Sequence, residues 1–291
     1  MAVVNTNINA SIAQNALARN ERAMNTAMER LSTGQRINAA SDDAAGLAIS
    51  SRMTSQIRGL ETGIRNANDA ISMISTADGA LIEITNMLQR MRELALQAGT
   101  GTTTSADRDY LNQEYKNLAV EIERIAQNTQ WNGKSILEGT ANGSSSTVKF
   151  QVGANGGQTL AVNFGNMSSS STTIFGAFEA SAAGAAFAIS ASTAAAGITT
   201  ASAAMTKIDS AITVVNAQRA TFGAAMNQLT YAVDNLSNVK VNAEASRSRV
   251  LDADYAKETS ELARTQIIQQ AGTAMLAQAN QLPQTVLSLI Q

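Results

Sequence analysis

The 291-residue chain contains no cysteine, no histidine and only one proline. Without cysteine it can form no disulfide, iron–sulfur cluster, thiol nucleophile or cysteine-type zinc site. Without histidine it has no Ser-His-Asp triad, no imidazole base and no histidine metal ligand. An enzyme of this composition would have to work with carboxylates, lysine, tyrosine or backbone groups, and we expect neither enzymatic activity nor a cofactor.

Aromatic residues and net charge are also scarce. Aromatic side chains make up 4% of the chain and hydrophobic side chains 44%, so we expect a core of alanine, leucine, isoleucine, valine and methionine. The formal net charge is −2, without the basic excess that is typical of nucleic-acid binders. At roughly 150 residues per domain, the length suggests about two domains.

Neither a secretory leader nor a membrane span is indicated. The first 18 residues contain no basic residue and no continuous apolar run, both of which a signal peptide requires. The uncharged run 180–206 consists mostly of alanine, serine, threonine and glycine, whereas a membrane helix needs about 20 predominantly apolar residues. We therefore expect no cleaved signal peptide and no membrane span.

Apolar residues spaced alternately four and three positions apart predict three long helices. The strongest pattern runs from Met53 to Ala95 and predicts a helix over residues 44–98, with Ser41 as a candidate N-cap. Similar patterns predict helices over about 105–128 and about 205–245. Three such apolar stripes can cover one another, so we expect a mainly α fold, a long coiled-coil-like helical bundle.

The region between the second and third helices has a different pattern. Residues 147–152 and 159–164 alternate apolar and polar side chains around a glycine-rich segment, which predicts a small β-hairpin over about 147–164. Residues 168–204 are rich in alanine, serine and threonine, and they offer little large apolar surface to bury. We expect an exposed, loosely packed excursion there.

The two ends of the chain resemble each other, because residues 1–18 and 265–291 carry no charged side chain. Each end has an apolar stripe and a neutral polar face, and Pro283 is expected to break or kink the second helix. Burying such a surface desolvates no ions. We therefore predict that the ends pair as adjacent helices and contact other subunits. The candidate assembly residues are Ile8, Ile12, Leu17, Met24, Leu31, Ile268, Met275, Leu282, Val286 and Leu289.

These patterns divide the chain into three parts. Residues 1–43 and 250–291 would form the paired terminal helices. Residues 44–167 and 205–249 would form a rod-like helical domain that carries the β-hairpin. Residues 168–204 would form the short exposed excursion.

Several long motifs resemble those of one protein family. They are LSTGQRINAASDDAAGLAIS at 31–50, QRMRELALQ at 89–97, NTQWNG at 128–133 and QQAGTAMLAQANQLPQ at 269–284. Together they closely resemble bacterial flagellin, over about residues 1–165 and 205–291. The chain departs from many flagellins in its middle, where it has a short excursion in place of large outer domains.

The resemblance implies a structural subunit that self-assembles into the helical flagellar filament for swimming motility. It implies that the terminal helices, 1–43 and about 250–291, form an inner domain, with the rod-like helical domain around it. It implies an extracellular location, reached by export through the flagellar type III apparatus. The implied partners are the chain itself, an export chaperone, the filament cap, hook-associated junction proteins and the innate-immune flagellin receptor, toll-like receptor 5.

Two groups of candidate site residues follow from the resemblance and from the composition. Gln89, Arg90, Leu94 and Glu114 match the residue types that flagellins present to the receptor; the alternative is a solvated edge with ordinary ion pairs. Arg90 and Leu94 lie four residues apart, hence on one helix face. The candidate O-glycosylation residues are Ser168, Ser169, Ser170, Ser171, Thr172 and Thr173. Their alternative is an unmodified loop.

A different class of function is a secreted helical binding module, such as a hook–filament junction protein or an adhesin. Such a protein would not form long filaments alone. A hydrolase within the central insertion is a third alternative, but the insertion here is short and lacks histidine, cysteine and acidic clusters.

Overall fold

The computed structural model describes residues 7–143, 145–168, 189 and 194–288, and it leaves out the side chains of residues 194, 195 and 282–288. Helices dominate the described part. The helices are α1 (Ile8–Thr33), α2 (Ala44–Ala98), α3 (Ser105–Asn128), α4 (Ala194–Leu251) and α5 (Tyr255–Ser288), and the strands are β1 (Gln130–Trp131), β2 (Lys134–Ser135), β3 (Thr147–Gln151) and β4 (Thr159–Asn163).

The chain divides into two compact units. The terminal unit contains the residues up to Ile57 together with those from Val241 onward, and the central unit is Arg58–Lys240. These boundaries fall inside α2 and α4, whereas the sequence predicts them near residues 43 and 250. Continuous helices carry no local signal for a boundary, since the heptad pattern runs through it unchanged.

The core of the central unit is formed by one face each of α2, α3 and α4. Leu81, Leu88 and Met91 on α2 are fully buried, as are Tyr115 on α3 and Phe222 on α4. Most of the predicted apolar positions lie in this cluster or pack against it. The predicted bounds of α2 and α3 are confirmed, and so is the mainly α, bundle-like fold class.

The predicted excursion is only partly correct. Helix α4 begins at Ala194, well before the predicted residue 205. Ser168, Ile189, Ala201 and Ala204 are all buried, whereas Ile198 is 39% exposed, so part of the described segment 168–204 packs into the core. Alanine-rich helical turns can approach a neighbouring helix closely, which is why few large apolar residues suffice there.

Among the described residues between α3 and α4, two β-hairpins are present in the central unit. Strands β3 and β4 pair antiparallel from Thr147 opposite Asn163 to Gln151 opposite Thr159, which confirms the predicted hairpin. Strands β1 and β2 are joined by Asn132 and Gly133, both with positive φ. Asn-Gly favours such a turn because it tolerates the left-handed backbone of a type I′ hairpin.

In the terminal unit, α1 and α5 lie antiparallel, as predicted for the two ends of the chain. The phenol of Tyr255 at the start of α5 donates to the carbonyl of Leu31 near the end of α1, at 3.3 Å. The side-chain amide of Asn7 donates to the Ala279 carbonyl at the opposite end, at 2.8 Å. Helix α5 continues through Pro283 to Ser288, so of the predicted break or kink the break does not occur. The missing proline N–H removes one hydrogen bond close to the helix end, and the helix tolerates it there.

Side-chain oxygens cap α1, α2, α3 and α5. Asn7 accepts from the Ala10 N–H at 3.1 Å at the start of α1. The Asp43 carboxylate accepts from the Gly46 N–H at the start of α2 at 2.8 Å, so within the segment 41–43, which the sequence predicts to cap this helix, the cap is Asp43. Thr104 and Asp107 form a reciprocal capping box on α3. Asp254 accepts from the Ala256 N–H at 3.0 Å at the start of α5. These carboxylates are therefore structural caps.

Candidate assembly surface

The paired helices α1 and α5 enclose an apolar groove of about 520 Å³ in the terminal unit. Its walls include Ile12, Leu17, Ile268 and Met275. Small residues bring the two helices close together: a Cβ atom added at Gly272 would lie 2.8 Å from Cδ2 of Leu17. The groove therefore forms because leucine on one helix meets glycine on the other.

Four of the predicted assembly residues are exposed, and three of them, Ile12, Ile268 and Met275, line this groove. Ile8 is 59% exposed, Ile12 62%, Ile268 42% and Met275 68%. Ile267, which the sequence analysis missed, is 66% exposed. Exposed aliphatic side chains that converge on one groove are unusual on a monomer surface and mark an interaction surface.

The remaining predicted assembly residues have different environments. Leu17, Met24 and Leu31 are half-buried in the chain itself. The side chains of Leu282 and Val286 lie outside the described part, and so does residue Leu289 altogether. The apolar stripe of α1 is thus divided between internal packing and an open face.

Polar side chains also link α1 to α5, and the sequence analysis did not single them out. Asn20 is buried and donates to the Thr265 carbonyl at 2.7 Å and to Oε1 of Gln269 at 3.3 Å. Arg30 donates to the buried carboxylate of Glu258 at 3.2 Å. A signal was available, because Asn20 stands between Leu17 and Met24, where the heptad spacing calls for an apolar residue.

A cluster of charged residues lies on α2 and α3 of the central unit. Arg90 pairs with Glu114 at 2.9 Å and with Glu93 at 3.0 Å, and about half of its side chain is exposed. Hydrogen bonds to Glu114 and then to Glu93 raise the pKa of Arg90 above its usual value. The structure thus brings together Arg90 and Glu114, two of the residues suggested for receptor binding.

The other two suggested receptor residues differ from each other. Gln89 is exposed, whereas Leu94 is 1% exposed and belongs to the core between the helices. The assignment of Leu94 to an outer contact face is therefore wrong for this chain. Arg90 and Leu94 share a broad helix face, but the packing helices cover the part that carries Leu94.

The candidate glycosylation run lies mostly outside the described residues. Ser168 is described and is 2% exposed. A sugar on the Ser168 hydroxyl would not fit this burial, which argues against Ser168 as a glycosylation site in the folded chain. Residues 169–173 fall outside the described part.

Within the described ranges, acidic side chains do not gather in groups of three that could hold a metal ion. Nor does any described helix combine the length and apolar character needed to cross a membrane.

Comparison with known proteins agrees with this architecture. The family descriptions that match are "Bacterial flagellin N-terminal helical region" over residues 4–142 and "Bacterial flagellin C-terminal helical region" over residues 205–290. The flagellin of Halalkalibacterium halodurans is 42% identical over 292 residues, covering 99% of this chain and 100% of the relative. The flagellin of Bacillus subtilis is 43% identical over 308 residues, covering 99% of each.

Among solved structures, a putative flagellar hook-associated protein from Vibrio parahaemolyticus has a TM-score of 0.56 at 16% identity, covering 72% of this chain and 100% of that chain. This likeness shows a shared fold. The two family matches and the full-length relatives together show that the chain belongs to the bacterial flagellin family, as a structural subunit of the extracellular flagellar filament and not an enzyme.

Proposed function

We propose that the chain polymerises through the exposed apolar face of the α1–α5 pair. The observation that carries this proposal is the convergence of the exposed side chains of Ile12, Ile268 and Met275 around one open groove. Segments 7–18 and 265–288 carry no charged side chain, so covering this face with another copy removes no ion from water. A second copy of the chain offers the same apolar chemistry.

Further partners use the same ends in this proposal. An export chaperone would cover the apolar face before assembly, and the filament cap and junction proteins would meet it at the filament ends. Each of these partners would bury the apolar face and so remove it from water. Because the hydrophobic effect is non-directional, the same face can serve all of these contacts.

The test is seeded polymerisation of purified full-length protein, observed by electron microscopy. Ile12→Asp and Met275→Asp each place a charge on the face that assembly buries, so we expect the critical concentration to rise at least about tenfold. Ile12→Leu keeps the apolar surface and should assemble normally. Filaments of normal length from both aspartate variants, with unchanged helix content, would refute the proposal.

We also propose that Gln89, Arg90 and Glu114 form part of a surface that the innate-immune flagellin receptor recognises. Arg90 and Glu114 are held together at 2.9 Å while about half of each side chain stays open to solvent. An arginine fixed in this way can offer hydrogen bonds in a preset direction, and arginine is a frequent interface hot spot.

A receptor-activation assay on unpolymerised protein tests this second proposal. Arg90→Ala and Glu114→Ala should each lower potency by at least about tenfold. Arg92→Ala is the matched control, because Arg92 is equally exposed and pairs with Asp209 at 2.7 Å instead. Equal potency of wild type and the first two variants would refute this proposal. The Arg90–Glu114 contact would then be an ordinary solvated ion pair.

A further inference from the structure

At the loop end of the α1–α5 pair, the Ala253 N–H donates to the Gly34 carbonyl at 3.0 Å and the Arg36 N–H donates to the Leu251 carbonyl at 2.7 Å, which fixes the axial position there. The buried residues of α1 are Ala10, Asn20 and Ala27. On α5, Gly272 and Ala279 are half-buried, whereas the small residues at 271, 274 and 277 are exposed. A shift of one heptad would place Ala279 where Gly272 meets Leu17, so the apolar contact opposes the shift mainly through one added methyl group.

The ion pair between Arg30 and Glu258 is different, because it is satisfied in one register. Glu258 is 7% exposed and Arg30 lies 3.2 Å from its carboxylate. If α5 moved by seven residues in one direction, Thr265 would take the place of Glu258 opposite Arg30. The buried Glu258 carboxylate would then lack its partner, which is strongly unfavourable for a buried charge, whereas the Arg30 side chain is 28% exposed and could still meet water.

Asn20 discriminates against the same shift. Its side-chain amide meets Oε1 of Gln269 at 3.3 Å. After a one-heptad movement in that direction, Leu276 would face the amide in place of Gln269, and the buried group would lose this acceptor.

The ion pair is imperfect as a source of stability. Nε of Arg30 is buried and has no hydrogen-bond partner among the described residues. A pair that leaves a donor unsatisfied contributes less than a well-packed apolar pair of similar volume. Its location therefore agrees better with specification of register than with a gain in stability.

We propose that the Arg30–Glu258 pair and Asn20 set the register and antiparallel orientation in which α1 and α5 pair. The role of this register in aligning the assembly face rests on the polymerisation function proposed above. The polar contacts act as position markers along the helix pair, beyond the backbone hydrogen bonds that join its loop end. The best-attested role of buried polar groups in paired helices is of this kind.

The absence of cysteine makes the register measurable by disulfide trapping in the full-length chain. Leu17→Cys with Gly272→Cys reports the observed register, since Cγ of Leu17 lies 3.1 Å from the Cβ position at Gly272. Leu17→Cys with Ala279→Cys reports a shift of one heptad; in the observed register these positions are about 10 Å apart along the helix axis, too far for a disulfide. Intrachain bonds are identified by mass spectrometry after controlled oxidation.

In the otherwise unchanged chain we expect the first pair to form at least about tenfold faster than the second. Arg30→Leu with Glu258→Leu should reduce that ratio below about threefold while helix content is kept. The matched control is Arg264→Leu with Glu261→Leu, which removes an exposed ion pair within α5 and should leave the ratio unchanged. A ratio that stays tenfold in the Arg30–Glu258 variant overturns the proposal.

A charge exchange keeps the test decisive if the leucine variant does not fold. Arg30→Glu alone should lose the selection, and Arg30→Glu with Glu258→Arg should restore it. Equal ratios in these two variants would also overturn the proposal. Disulfide formation is read within single chains, so a wild-type protein that selects the register but forms no filament refutes only the polymerisation function.

Discussion

The hydroxyl of Tyr115 is buried in the central unit and has no hydrogen-bond partner among the described residues. Burial raises the pKa of Tyr115 above its usual value. The folded chain thus favours the neutral phenol of Tyr115. As the pH rises above the ordinary pKa of tyrosine, the phenol ionises in the unfolded chain first, and the free energy of unfolding falls.

We expect Tyr115→Phe to raise the free energy of unfolding by about 1 kcal/mol, because it removes a buried polar group that makes no compensating hydrogen bond. Chemical denaturation of unpolymerised protein measures the change. Tyr110, on the same helix, is 75% exposed, and Tyr110→Phe should change stability by less than about 0.5 kcal/mol. A clear loss of stability in Tyr115→Phe would mean that the hydroxyl has a partner.

The Asp107 carboxylate stabilises the start of α3 in a pH-dependent way. Hydrogen bonds from the Thr104 hydroxyl at 2.7 Å and the Thr104 N–H at 3.0 Å hold the pKa of Asp107 below its usual value. Its contribution is therefore complete above the ordinary pKa of aspartate and is lost as the pH falls through the lowered value.

Thr104→Val removes the hydroxyl and should raise the pKa of Asp107 towards its ordinary value. An NMR titration of the side-chain carboxyl follows this directly. Thr103→Val is the control, because the Thr103 hydroxyl donates to the Thr100 carbonyl instead. An unchanged titration of Asp107 in Thr104→Val would contradict the assignment of the hydroxyl as the main cause.

At the scale of an element, α2 contains two glycines with opposite roles. A Cβ atom at Gly63 would lie 2.7 Å from the carbonyl oxygen of Val152, at the end of the β3–β4 hairpin, whereas one at Gly79 would meet nothing within 4 Å. The amide of Asn66 donates to the Gln151 carbonyl at 3.0 Å and holds the same hairpin on the helix. Gly63 thus allows the strand backbone to approach α2.

We expect Gly63→Ala to destabilise the chain by about 1–3 kcal/mol, because the added methyl group must displace the hairpin. Gly79→Ala should stabilise it by about 1 kcal/mol, since alanine favours the helix and no neighbour is touched. Thermal and denaturant unfolding of both variants provide the measurement. If both variants changed the free energy of unfolding in the same direction, helix propensity and not contact with the hairpin would determine the effect of substitution at Gly63.

At the scale of the whole molecule, assembly should depend little on simple salt. Segments 7–18 and 265–288 contain no charged residue. The proposed assembly face therefore offers few charge–charge interactions that salt could screen. Between about 0.1 M and about 1 M sodium chloride, where the Debye length falls from about 10 Å to about 3 Å, we expect the critical concentration to change less than about threefold.

Sulfate is the informative comparison in the same assay. It strengthens apolar burial by exclusion from protein surfaces, so it should lower the critical concentration. Sedimentation of polymer against soluble protein gives both values. A critical concentration that rises steeply with sodium chloride would show that ion pairs between subunits dominate assembly.

Much of the fold followed from local patterns. The alternate spacing of apolar residues predicted α2 and α3 to the residue, and alternation of period two located the β3–β4 hairpin. The uncharged ends predicted that α1 and α5 would pair. These predictions hold because the periods of helix and strand fix which side of an element is apolar, whatever covers it.

The tertiary structure decided which neighbouring element covers the apolar side of each helix or strand. The periodic spacing of apolar residues along the sequence does not encode this. Leu94 is next to the predicted apolar stripe of α2, yet it is fully in the core because the packed helices cover a wider face than two positions per heptad. Ile189 donates its N–H to the buried Asn112 side chain, a contact that joins residues 77 positions apart. Asn20 finds its partners only when α5 lies alongside. The sequence alone therefore determined the elements and the family, while long-range packing determined which residues are left open to other molecules, because exposure depends on contacts between segments distant in the chain.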